Sequence, residues 1–316
     1  MRAATAAAAE PWLVDYGPGL GAAVSFSIAD VLSKVVFASG MDVLSLITLR
    51  GILAAGIFWF WLRVAPPRVP HSPRARLISI GLGVLFSANI FGLMFAIQVL
   101  PLSIAILAYF VYPLVTGIAA AALGLEQLGW RGSVTAVAAF CGLVLMLGTQ
   151  PGELAPIGLL AAFGAAICRV ASLLVTRAAL GGTDARATTW YSLAPAALVF
   201  IAVSLFTGTF RPPLTAGGWI AFFGMGVTTT LSTLWIFVST ARIGAFRTAL
   251  TMNLEPVLSS AFSFALLGED VSGLQLIGGT VMVGALCAFQ LHRTTALSLR
   301  GSAVQIIGRH SGGDRR

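Results

Sequence analysis

Ten runs of about 20 apolar residues, set nearly end to end, leave lipid as the main solvent in which this chain can fold. They cover roughly 16–38, 43–64, 77–98, 101–122, 132–149, 155–176, 188–207, 217–240, 245–267 and 273–291. A helix that crosses the hydrocarbon core needs about 20 mostly apolar residues. The breaks carry turn formers: Pro66-Pro67, Pro151-Gly152, Gly181-Gly182 and Pro212-Pro213. Charged residues are 9% of the 316, against about 25% in soluble domains, so no soluble core could hide the rest. The expectation is an all-α integral membrane protein with ten transmembrane helices.

The net charge of +8 does not read as a nucleic-acid surface, because the arginines punctuate the gaps between apolar runs. With the N-terminus inside, 15 basic residues fall on the inner side: Arg2, Arg63, Arg68, Arg74, Arg76, Arg131, Arg177, Arg186, Arg242, Arg247, Arg293, Arg300, Arg309, Arg315 and Arg316. The outer loops hold Arg211 alone. This bias predicts a multi-pass protein of the cell (inner) membrane with both termini cytoplasmic. The Ala-rich start is interrupted by Glu10, Pro11 and Asp15, so residues 1–15 read as a cytoplasmic tail and not as a signal peptide. Residues 292–316 read as a basic, disordered tail.

Cofactor signatures are missing from the sequence. Cys141, Cys168 and Cys287 each stand alone in an apolar run, and His71, His292 and His310 lie in loops or the tail, so no metal or redox site is expected. A phosphate-binding loop needs a lysine after its glycines, and Lys34, the sole lysine, lies in Ser33-Lys34-Val35. Transport driven by an internal ATP site is excluded. An intramembrane enzyme would need a convergent acid/base or metal set, which the spans do not supply; a passive channel remains a further class.

A shift of 143 residues aligns the two halves: Pro113 with Pro256, Glu126 with Glu269, Lys34 with Arg177, Asn89 with Ser232. Each half, 16–149 and 155–291, holds five runs. Five is odd, so the second half enters the membrane from the opposite side, giving two inverted five-helix repeats, an arrangement typical of secondary transporters.

The residues that carry a family likeness lie between Gly244 and Gly284: Asn253-Leu254-Glu255-Pro256-Val257, then Leu266-Leu267-Gly268-Glu269, then Gln275-Leu276-Ile277-Gly278-Gly279. The first half carries a weaker copy in Tyr112-Pro113-Leu114 and Leu125-Glu126, with Leu46-Ile47-Thr48-Leu49-Arg50-Gly51 opening the second run. The chain thereby resembles the drug/metabolite transporter superfamily, in its EamA-type ten-helix form. That resemblance implies a basket in which helices 1–4 and 6–9 surround a central cavity, with helices 5 and 10 as scaffold. It implies a small-molecule substrate (amino acids, vitamins, nucleotide-linked metabolites, sugars or drugs) and does not choose among them.

Charges inside the spans mark the candidate substrate-binding residues, since each costs about 2.5–3.5 kcal/mol at a helix centre. Asp30 and Lys34 share a face of helix 1, either as an intrahelical pair or as a polar lining for a zwitterion. Arg50 is a structural partner for Asp30 or helix-end carbonyls, or a positive charge at the outer mouth. Arg169, inside helix 6, stays charged and needs a partner; Glu255 or a substrate carboxylate or phosphate would serve. Glu255 precedes Pro256, which removes a helix hydrogen bond, and paired interruptions at the midplane are where transporters place sites. A carboxyl group there is a candidate proton carrier, or a kink-stabilising acceptor for helix 4 or 8. Asn89, Tyr109, Tyr112, Ser232 and Trp235 complete the expected wall, with helix–helix bonding as the competing role of the hydroxyls. Thr280, Gly284 and Ala288, four apart on the last helix, offer a face for close packing within the subunit or in a homodimer. The expected function is a secondary transporter, an exporter of amino-acid-like solutes ahead of an uptake carrier for vitamins or nucleotide-like metabolites.

Overall fold

The computed structural model describes residues 11–67, 69–100, 102–127, 129–147, 155–268 and 272–288. Glu269, most of the N-terminal tail and the segment 292–316 lie outside the described residues. Every regular element is helical: α1 (Pro11–Ala38), α2 (Val43–Val64), α3 (Pro73–Val99), α4 (Leu102–Tyr109), α5 (Tyr112–Ala122), α6 (Trp130–Leu147), α7 (Pro156–Ala179), α8 (Ala185–Thr207), α9 (Ala216–Ile243), α10 (Ala245–Thr251), α11 (Leu254–Leu267) and a shorter α12 (Gly273–Ala288). Helices α4 and α5 form one span and α10 and α11 another, so nine spans among the described residues are long and apolar enough to cross a membrane, with α12 as the shorter tenth.

Local chemistry sets the helix ends. The Asp42 carboxylate accepts from the backbone N–H of Leu44 and Ser45 at the start of α2. Ser72 accepts from Ala75 N–H with Pro73 in the first turn of α3, and Thr215 accepts from Gly218 N–H in α9. Each satisfies a backbone donor that the helix itself leaves free. Gly208 closes α8 in the left-handed conformation, which costs glycine little.

Packing follows the 143-residue repeat. Helix α1 lies along α9, its counterpart α7 lies along α3, and α2 packs on its own counterpart α8. Glycine lets backbones meet where the crossings are tightest. A Cβ on Gly83 would come within 2.3 Å of the Ser192 carbonyl oxygen, and one on Gly278 within 2.4 Å of the Gly142 carbonyl oxygen. The first contact seats α3 on α8; the second joins α6 to α12. Large apolar side chains such as Leu160, Leu205 and Phe206 point outward, which is stable only against hydrocarbon.

Candidate functional site

Two spans break at matching places. The α4–α5 span interrupts at Phe110 and Val111, just before Pro113, and the α10–α11 span at Met252 and Asn253, just before Pro256. Proline has no N–H to donate and crowds the preceding turn. The chain re-forms its bonds locally, with Glu255 N–H donating to the Met252 carbonyl at 3.0 Å. Glu255 therefore enters the first turn of a new half-helix inside the bundle.

A polar seam runs from this break along the α1–α11 contact. Ser27 donates to the Glu255 carbonyl oxygen at 2.9 Å, Ser259 donates to the Asp30 carboxylate at 2.5 Å, and Lys34 Nζ donates to Ser263 Oγ at 3.3 Å. The residues advance together on both helices, so α1 and α11 run parallel with polar positions in register. Asp30 and Lys34 remain exposed, whereas Glu255, Ser259 and Arg50 are half-buried. Asp30 is within electrostatic reach of Lys34, of Arg50 on α2 and of Glu255 on α11. Charges from three helices thus converge on this seam.

Arg169 sits deeper. It is 7% exposed, its guanidinium carbon is 5.8 Å from the centre of the Tyr112 ring, and its Nε has no hydrogen-bond partner. Tyr112 and Tyr109 stack at a tilt with centroids 5.4 Å apart. Among the described residues Arg169 and Glu255 feel each other's charge but do not close an ion pair. The cation is held by the π-face of Tyr112 and by a carboxylate at longer range.

The neutral candidates divide. Asn89 Nδ2 donates to the Ala165 carbonyl at 2.7 Å and lies 3.4 Å from the Tyr109 hydroxyl. Ser232 Oγ donates to the Ala22 carbonyl at 3.2 Å. Asn89 and Ser232 are 143 residues apart, as are Ala22 and Ala165, so one inter-helix bond is made twice. Trp235 lies flat on α1: a Cβ on Gly21 would come within 2.5 Å of its ring. Ser232 and Trp235 join α9 to α1, while Asn89 reaches the Tyr109–Tyr112–Arg169 group.

The two ends of the bundle differ. At the arginine-rich end α5 packs against α10, and Glu126 Oε1 accepts from the backbone N–H of Ala245 at 2.5 Å and of Phe246 at 3.3 Å. The repeat relates this contact to one between α11 and α4 at the other end. There α11 packs on α1 and α4 on α7, without a comparable α4–α11 contact. By this pair of half-helices the arginine-rich end is closed and the other is not. A cavity of 1090 Å³ lies away from the charged group, at the arginine-rich end beside α6.

Sequence reading missed two parts of this arrangement. Ser259 and Ser263 are four apart, as are Asp30 and Lys34; matching the two spacings would have found the seam. The capping role of Glu126 has no local signature, because the N–H groups that donate to it lie 119 and 120 residues away.

Comparison with known proteins agrees with the fold and the repeat. A match of 37% identity over 108 residues links the chain to the uncharacterized transporter YyaM of Bacillus subtilis (strain 168), covering 32% of this chain and 34% of that relative. A solved crystal structure superposes with a TM-score of 0.71 at 18% identity, over 85% of this chain and 96% of its own; this likeness concerns the fold. The model of the EamA-like transporter family matches twice, over residues 18–148 and 156–289. With nine membrane-length spans and a shorter tenth among the described residues, and both halves matched, the chain is a multi-pass membrane protein that belongs to the EamA-like transporter family.

Proposed function

We propose that this transporter carries a small zwitterionic metabolite, such as an amino acid or a close relative, through alternating access of its two repeats. The observation that carries the reading is the α1–α11 seam, where Asp30 and Lys34 remain exposed while bonded to Ser259 and Ser263. A solute with one cationic and one anionic group meets a carboxylate and an ammonium about one helical turn apart. Arg50 adds positive charge from α2, and Tyr109, Tyr112, Asn89 and Arg169 form the floor. The closed α5–α10 contact and the separated α4–α11 contact support a cycle in which the repeats exchange roles.

Glu255 is the proton carrier in this scheme. It lies at the helix break, between Arg169 and Asp30, where a change in its charge alters both neighbours. Export is the direction we favour. The excess of arginine at one end supports cytoplasmic termini.

The test is counterflow in proteoliposomes without ATP. Vesicles loaded with an unlabelled amino acid accumulate the labelled one if the protein exchanges it, and Asp30→Asn abolishes the signal. A panel of amino acids and close analogues with no counterflow, from protein that is folded and inserted, overturns the zwitterion reading.

A further inference from the structure

The cavity at the arginine-rich end is separate from the solute site, and its chemistry is different. Arg131, Arg177, Arg242 and Arg247 all line it. Arg177 and Arg242 each spend one nitrogen on a backbone carbonyl, of Ala241 and Val14, both at 2.8 Å. A carbonyl satisfies a donor without neutralising the cation. Glu126 is the acid among the described lining residues, and its carboxylate is engaged by the first N–H groups of α10. Arg131, Arg177 and Arg242 alone outnumber that one carboxylate among the described lining residues.

The cavity also lies at the level of the lipid headgroups. Arg131 stands at the start of α6 with its guanidinium 5.6 Å from the centre of the exposed Trp130 ring. An aromatic ring beside a basic residue at a helix end marks the level of lipid headgroups. From Trp130 an exposed stripe of Val134, Val137, Cys141 and Leu145 continues down α6 at helical spacing, on the outer face of the bundle. The stripe leads from the basic cavity into the hydrocarbon region. A soluble anion would use the cavity alone; a phospholipid would use both.

The geometry points to a binding site for an anionic phospholipid: its phosphodiester lies among Arg131, Arg177, Arg242 and Arg247, and its acyl chain follows the α6 stripe. Basic pockets between membrane helices bind anionic headgroups in this way. Because Glu126 lines the same cavity and holds α10, a bound lipid sits against the closed end of the transporter.

The test uses the full-length protein, delipidated in a neutral detergent, with phosphatidylglycerol, phosphatidylcholine and glycerol phosphate as probes. Native mass spectrometry counts retained lipid, and thermal unfolding reads stabilisation. Phosphatidylglycerol is expected to be retained and to raise the melting temperature, while phosphatidylcholine and glycerol phosphate at the same concentration do not. Arg131→Gln weakens phosphatidylglycerol binding about fivefold, the effect of one arginine near a charged surface, while Arg63→Gln, outside the cavity, leaves it unchanged. If Arg131→Gln proves unstable, salt replaces it: added sodium chloride weakens phosphatidylglycerol binding to the unmodified protein. Equal binding of both lipids, equal affinity in Arg131→Gln and Arg63→Gln, insensitivity to salt, or glycerol phosphate acting as strongly as the lipid would each overturn the proposal.

Discussion

Ser259 on α11 donates to the carboxylate of Asp30 on α1 at 2.5 Å, joining the two repeats beside the proposed solute site. A hydrogen bond to a charged group contributes about 1.5–3 kcal/mol. If Asp30 receives the cationic end of the solute, Ser259→Ala frees the carboxylate to rotate and weakens solute binding about tenfold, with little change in folded protein. Isothermal titration of the purified variant checks this. A lowered melting temperature with unchanged affinity would assign the contact to helix packing alone.

Two neighbouring glycines on α3 predict opposite outcomes. A methyl group on Gly83 would sit 2.3 Å from the Ser192 carbonyl oxygen, whereas one on Gly81 meets nothing within 4 Å. Gly83→Ala therefore forces α3 from α8 and destabilises by about 1–3 kcal/mol. Gly81→Ala is neutral or stabilises by up to about 1 kcal/mol, because it removes the conformational freedom of glycine from a helix. Thermal unfolding in detergent compares the two directly.

Glu126 fastens the closed end by accepting two N–H groups at the start of α10. Its removal costs about 0.5–2 kcal/mol, as for other helix caps, and raises the population with α10 released. Thr248 on α10 is fully buried against Ser239. With the three native cysteines replaced, a cysteine introduced by Thr248→Cys should react with maleimide about 2- to 30-fold faster when Glu126→Ala is added. An unchanged rate would mean that the end is held by other contacts.

His71, in the loop between α2 and α3, is held below its ordinary pKa by burial first and by the nearby Arg76, against the pull of Asp184. Its ring Nε2 lies 3.0 Å from the Thr188 hydroxyl. The folded state thus favours the neutral ring, while the unfolded chain takes up a proton near pH 6.5. Stability is unaffected above that pH, falls as pH drops below about 6.5, and levels off once the folded ring is also protonated. His71→Gln should flatten the decline in melting temperature between about pH 7.5 and pH 5. An equally steep decline in the variant would place the sensitivity elsewhere.

The spans were legible because apolar runs at membrane length have one stable use. The repeat was legible because Pro113 and Pro256 impose the same interruption; both breaks appear where the missing N–H predicts them. The pairing of Asn89 with Ser232 held in a stronger sense than sequence alone supplies, since both bond the matching carbonyls of Ala165 and Ala22. Arg169 shows the limit. A buried cation needs compensation, but sequence cannot weigh a carboxylate on a distant span against two tyrosines. The structure places Tyr112 against the guanidinium and leaves Glu255 beyond ion-pair distance among the described residues.

The most direct test of the central claim is a ligand-induced thermal-shift screen of the purified protein against amino acids, vitamins, nucleotides and cationic drugs, because a ligand that binds the folded state raises its apparent stability. A zwitterionic hit is expected whose shift disappears in Asp30→Asn and weakens in Glu255→Gln, while Gly81→Ala keeps it in full. A shift retained in both Asp30→Asn and Glu255→Gln, or hits confined to solutes without paired charges, would contradict it.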